Sequence, residues 1–156
     1  MKMMRVYLIR HGQPVSTEMN PERPLSDRGK NDVEKIAESL YRAGVKIDEV
    51  LHSGKSRARQ TAAIVASRLN PKLELQESPG LGPLDDVTRI ANQIKEAEKD
   101  LLIAGHMPHL GKLVSLLVVG NPLAPVVDFQ QGSVVCLERH EADRWSVAWV
   151  LVPEIV

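Results

Sequence analysis

Four side chains in three separate stretches of this chain have the chemistry of a reactive site. Arg10 and His11 stand together in "LIRHG" (Leu8 to Gly12), Arg57 lies in "SGKSRARQTA" (Ser53 to Ala62), and His106 in "AGHMPHLG" (Ala104 to Gly111). A guanidinium is a rigid fork of N–H donors that matches the oxygens of a carboxylate or a phosphoryl group. A neutral imidazole carries a nitrogen lone pair that can attack phosphorus or accept a proton. Gathered in one place, the four groups would make a cationic site for a tetrahedral oxyanion, with His11 rigidly placed for attack and Gly12 permitting close backbone approach.

They can meet only if the elements around them bring them together. "RVYLI" (Arg5 to Ile9) is β-rich and largely apolar, as a buried central strand should be. A loop containing Pro14, Pro21 and Pro24 follows. A helix is predicted after Ser26, a candidate cap, with Val33, Ile36, Ala37, Leu40 and Tyr41 at helical spacing and Gly44 as the stop. "IDEVLHS" predicts a short strand ending near Ser53, and "SRARQTAAIVASRLN" a second helix. "KLELQ" predicts another short strand, "SPGLGPLDD" a loop, and Val87, Ile90, Ala91 and Ile94 mark a third helix.

"KDLLIAGH" predicts a third long apolar strand, with Pro108 in the first turn of a helix reaching about Val119. "SVVCLERH" and "WSVAWVLV" predict a late strand pair joined at "EADR". This alternation predicts one domain over residues 1–156, an α/β fold with helices on both faces of a mostly parallel central sheet: a three-layer α/β/α sandwich with a mixed edge. Arg10 and His11, Ser53 and Arg57, and His106 all follow strands. In open parallel sheets that carboxyl edge is where ligands gather.

Composition narrows the classes. Lys plus Arg and Asp plus Glu number 20 each, so no general attraction to nucleic acid or an anionic membrane is expected. The single cysteine, Cys136, cannot form an internal disulfide and fits a reducing, cytoplasmic compartment. No signal peptide or transmembrane span is predicted.

Other residues receive plainer readings. Arg59 points elsewhere on its helix than Arg57 and reads as solvated. His106 and His109 form an HxxH pair, but no third ligand accompanies it, so no metal site is expected and His109 reads as a supporting or rim residue. Ser53 lacks a nucleophile elbow and reads as a helix cap or support for a phosphate loop. His52 and His140 belong to no constellation, Cys136 reads as core, and Trp145 and Trp149 share a strand face by period two.

The three blocks, in this order and at these strand ends, resemble the histidine phosphatase superfamily, also called phosphoglycerate mutase-like. The short chain, "RPLSDRG" (Arg23 to Gly29) and "GHMPHLG" make it most similar to the SixA-type phosphohistidine phosphatase branch. The resemblance implies that His11 is the nucleophile that becomes phosphorylated. Arg10 and Arg57 would bind the phosphoryl oxygens, His106 would donate to the same oxygens, and Arg23 would add a basic group at the pocket mouth. Larger relatives carry an acidic residue after the second helix that protonates the leaving oxygen. Here Glu77, Asp85 and Asp86 are present without a recognisable acid motif.

That absence favours a nitrogen leaving group over an alkoxide. The implied activity is hydrolysis of phosphohistidine in a protein substrate, without cofactor or metal and by a protein whose monomeric state is favoured. The alternatives are a small-molecule phosphomonoesterase of the same superfamily and a catalytically silent phosphate-binding regulatory domain.

Overall fold

The apolar alternation of the chain resolves into six strands and four helices over residues 3–156, the residues described by the computed structural model. In chain order they are β1 (Arg5–Arg10), α1 (Asp27–Arg42), β2 (Glu49–His52), α2 (Ser56–Leu69), β3 (Leu75–Glu77), α3 (Thr88–Glu96), β4 (Leu101–Gly105), α4 (His109–Val119), β5 (Val134–Arg139) and β6 (Trp145–Leu151). The sheet order is β3-β2-β4-β1-β5-β6. β3, β2, β4 and β1 run parallel, and β5 joins β1 antiparallel, followed by β6 antiparallel to β5. The sheet is therefore mixed, with its four parallel strands on the side that carries the motif blocks.

Two apolar layers flank it. Val6, Leu8, Leu101 and Ile103 pack with Ile90 and Ile94 of α3 and Leu110 and Leu113 of α4. Tyr7, Ile9, Leu102 and Ala104 face the other way, onto Val33, Ile36 and Leu40 of α1 and Ala62 and Val65 of α2. Alternate residues of the same strands thus feed opposite layers, which is why these strands read as continuous apolar runs.

Local signals set the ends of α1. Ser26 caps it by accepting from the Gly29 backbone N–H, and Gly44 follows it at φ +75°. Tyr41, expected in the core by its spacing, instead lies 51% exposed under the Arg68 guanidinium. Pro108 precedes α4 rather than entering its first turn.

The two tryptophans do not share a face. Trp145 joins the α3/α4 layer, while Trp149 sits in the α1/α2 layer against Tyr7. The cause is a β-bulge: Cys136 pairs with Trp149 but Leu137 pairs with Val147, so the period-two alternation of β6 slips by one residue at Ala148. Among the described residues no helix is long and apolar enough to cross a membrane.

Candidate active site

Strand register brings His11 and His106 side by side. β1 and β4 run parallel with Arg10 opposite Gly105, so the next residues on each strand are the two histidines. The His11 backbone N–H donates to the Gly105 carbonyl at 3.0 Å, which extends the pairing past the strand ends. The rings lie with centroids 5.1 Å apart and planes tilted by 55°. Arg10 leaves β1 on the other face, where its Nη1 donates to the Phe129 carbonyl at 2.8 Å.

The segment after β1 is braced from three sides. The His11 Nδ1 lies 2.7 Å from the Gly12 carbonyl oxygen. A carbonyl only accepts, so Nδ1 carries the proton and Nε2 keeps its lone pair. The Gly12 N–H donates to Thr61 Oγ1 at 3.1 Å, and the same hydroxyl donates to the Arg57 carbonyl at 2.8 Å. Gly12 packs so tightly on α1 that an added β-carbon would lie 2.8 Å from the Gly29 oxygen and 2.9 Å from Val33 Cγ2. Close approach is therefore what this glycine supplies.

Arg57 occupies the first turn of α2. The Nε atoms of Arg10 and Arg57 are shielded from solvent without a partner in the protein, a rare state for a buried donor and one suited to an anion. Arg23 lies on a strap zipped to the loop after β1, with Val15 N–H donating to the Pro24 carbonyl and Leu25 N–H to Gln60 Oε1 of α2. Its Nε donates to the Val15 carbonyl at 3.3 Å, and its backbone adopts the strained left-handed region at φ +50°. The Arg23 charge acts on both His11 and Arg57.

Electrostatics hold both imidazoles neutral. Burial lowers the His11 pKa to about 4, against the raising effect of the Gly12 bond and helped by the charges of Arg57, Arg10 and Arg23. Burial lowers His106 to about 3, aided by His11, Arg57, Lys55 and His109. A neutral His11 with its bare nitrogen at Nε2 can act as a nucleophile at neutral pH.

Two residues stand elsewhere than their sequence reading suggests. Ser53 does not cap α2, whose cap position is Lys55; its Oγ lies 2.6 Å from His106 Nε2. His109 is fully buried rather than at a rim, with its pKa lowered by burial against Gly80, Asp85 and Asp86. His52 is also buried, its Nδ1 accepting from the Gly54 N–H.

Arg59 is exposed. Asp85 accepts from the Gly82 N–H and Asp86 from the Thr88 N–H, so both carboxylates order the loop leading to α3. The Glu77 carboxylate packs against Gly54. Among the described residues no three His, Cys, Asp or Glu side chains converge as metal ligands would.

Sequence reading missed Thr61, Gln60 and Phe129. Thr61 had a usable signal, a hydroxyl residue one turn after Arg57 in an otherwise alanine-rich stretch. The Phe129 carbonyl had none, because backbone groups carry no residue signature.

Comparison with known proteins bears on the family and the fold. Residues 6–85 match the family model described as the histidine phosphatase superfamily (branch 1). The chain is 27% identical over 155 residues to the phosphohistidine phosphatase SixA of Escherichia coli (strain K12), covering 96% of this chain and 94% of that protein. It superimposes on the structure of the protein histidine phosphatase SixA complexed with tungstate with a TM-score of 0.86, at 27% identity and covering 97% of this chain and 99% of that one. The alpha-ribazole phosphatase from Shigella flexneri shares the fold, with a TM-score of 0.77 at 19% identity over 96% of this chain and 97% of that one.

Proposed function

This chain belongs to the histidine phosphatase superfamily, in its SixA-type branch, and is a phosphatase; we propose that it hydrolyses the P–N bond of phosphohistidine in proteins through a phospho-His11 intermediate. The observation that carries the mechanism is the bond between His11 Nδ1 and the Gly12 carbonyl, because it leaves Nε2 bare for attack. The choice of substrate rests on the likeness to SixA and on the carboxylates, two of which are engaged in loop hydrogen bonds.

In this reading His11 Nε2 attacks phosphorus in line with the P–N bond of the substrate. The P–N electron pair departs with the substrate ring, which leaves as neutral imidazole when its other nitrogen is already protonated. Arg10, Arg57 and His106 hold the phosphoryl oxygens, with Arg23 at the mouth. Phospho-His11 still carries Nδ1–H, and the Gly12 carbonyl accepts that bond as positive charge develops on the ring. Water then attacks phosphorus, the P–Nε2 pair returns to His11, and inorganic phosphate leaves. Donor and intermediate are both phosphoramidates, so the first transfer is nearly balanced and asks little of an acid. An alkyl phosphate would have to expel an alkoxide.

An activity panel tests the proposal. A phosphohistidine protein should be turned over in preference to sugar phosphates, α-ribazole phosphate and phosphotyrosine peptides, and acid-labile phosphate should be trapped on His11. Preference for a small phosphomonoester would move the assignment to the small-molecule phosphatases. No turnover of any phosphate would leave a binding domain.

A further inference from the structure

His106 has to donate a hydrogen bond if it is to hold a phosphoryl oxygen, yet its ring is buried among groups that keep it neutral. A neutral imidazole has a single N–H. Which nitrogen bears it decides whether the ring meets an oxyanion with a donor or with a lone pair.

Its two nitrogens differ in their surroundings. Nε2 lies 2.6 Å from Ser53 Oγ, whereas Nδ1 has no partner in the protein. Nδ1 is therefore the nitrogen left for a phosphoryl oxygen. Ser53 follows β2, and the Lys55 backbone N–H donates to its Oγ at 3.4 Å. That bond occupies a lone pair of the hydroxyl, while its one hydrogen is free to point at the short contact with Nε2. With that hydrogen so placed, a chain of donors would run from Lys55 N–H to Ser53 Oγ, and from Ser53 O–H to His106 Nε2.

We propose that Ser53 is a positioning residue that locks His106 in the Nδ1–H tautomer, so that a neutral ring donates to the phosphoryl group from Nδ1. The inference rests on the reading above in which His106 is a phosphoryl donor. It gives a role to a hydroxyl that makes no attack itself. The opposite tautomer would have Ser53 accepting from Nε2–H and would present a bare nitrogen to a dianion, a repulsive arrangement. Fixing a tautomer through the remote ring nitrogen is a general device for orienting histidine.

Ring nitrogen NMR on the ¹⁵N-labelled full chain, without substrate, tests the tautomer directly, with the His106 signals identified by their loss in H106A. The parent should show a protonated Nδ1 and a bare Nε2 at His106. S53A should lose that bias and retain the fold, with turnover lowered about 10- to 100-fold, mainly in kcat. S53T, which keeps the hydroxyl, should restore both the tautomer and the rate. Inorganic phosphate added to the parent should perturb Nδ1 more than Nε2.

A parent ring protonated at Nε2 would overturn the proposal, as would an S53A variant that kept Nδ1–H and parental turnover. Should S53A not fold, the parent spectrum and S53T still decide. If H106A kept parental turnover, the role of His106 in the site would fall, and the substrate-free tautomer measurement would show separately whether Ser53 sets the ring.

Discussion

The His11 and His106 rings stand 5.1 Å apart because β1 and β4 are paired in parallel with Arg10 opposite Gly105. Both rings are buried, and both feel the charge of Arg57. The electrostatic consequences can be measured without a substrate.

Both rings should remain neutral across the range from about pH 5 to about pH 8 in the ligand-free protein, with no movement of their C2–H proton resonances. Their folded pKa values, about 4 and about 3, lie below the unfolded value of about 6.5. The unfolded chain therefore binds more protons in between, and stability is lost as pH falls below about 6.5, amounting by about pH 4 to on the order of 3 kcal/mol for each ring. Urea unfolding at pH 7 and pH 4 measures this. An H106N variant should show a shallower acid loss, and a profile overlaying the parent would refute the contribution of that ring.

Replacing Arg57 with lysine keeps the charge and removes the planar fork. R57K should bind inorganic phosphate and tungstate at least about tenfold more weakly and turn over phosphohistidine more slowly. Titration and initial rates check this, and parental behaviour in both would place Arg57 outside the binding shell.

Thr61 links the loop after β1 to α2 through the Gly12 N–H and the Arg57 carbonyl. T61V has nearly the same shape but leaves the buried Gly12 N–H unpaired, at an expected cost of about 1–3 kcal/mol. Turnover should fall as well, because Gly12 also holds His11 Nδ1. Denaturant melts and rates together test the brace; a variant unchanged in both would show that the loop is held by packing alone.

Converting Glu77, Asp85 and Asp86 to their amides should leave phosphohistidine turnover within about tenfold of the parent, since a general acid is worth roughly 10²–10⁴-fold where one is needed. The amide oxygens introduced by D85N and D86N can still accept from the Gly82 and Thr88 N–H groups, so the loop should keep its order. A loss of a hundredfold or more with a native circular dichroism spectrum would identify a general acid among the three and shift the assignment toward phosphomonoesters.

Much of this molecule follows from neighbours along the chain. Apolar periodicity located the strands and helices, Ser26 and Gly44 marked the ends of α1, and strand-end placement put Arg10, His11, Arg57 and His106 on one edge of the sheet. These features are legible because caps, turns and repeating faces involve residues a few positions apart. Tertiary structure decided what depends on register and on loops. The bulge at Cys136 and Leu137 sends Trp145 and Trp149 to opposite layers, and the Phe129 carbonyl takes one donor of Arg10 from 119 residues away. Ser53 meets His106 across 53 residues, and Thr61 meets Gly12 across 49. Such contacts require a donor and an acceptor to arrive within about 3 Å from separate elements. No local pattern encodes that distance, because it is set by how the finished sheet stacks β2, β4 and β1 beside one another.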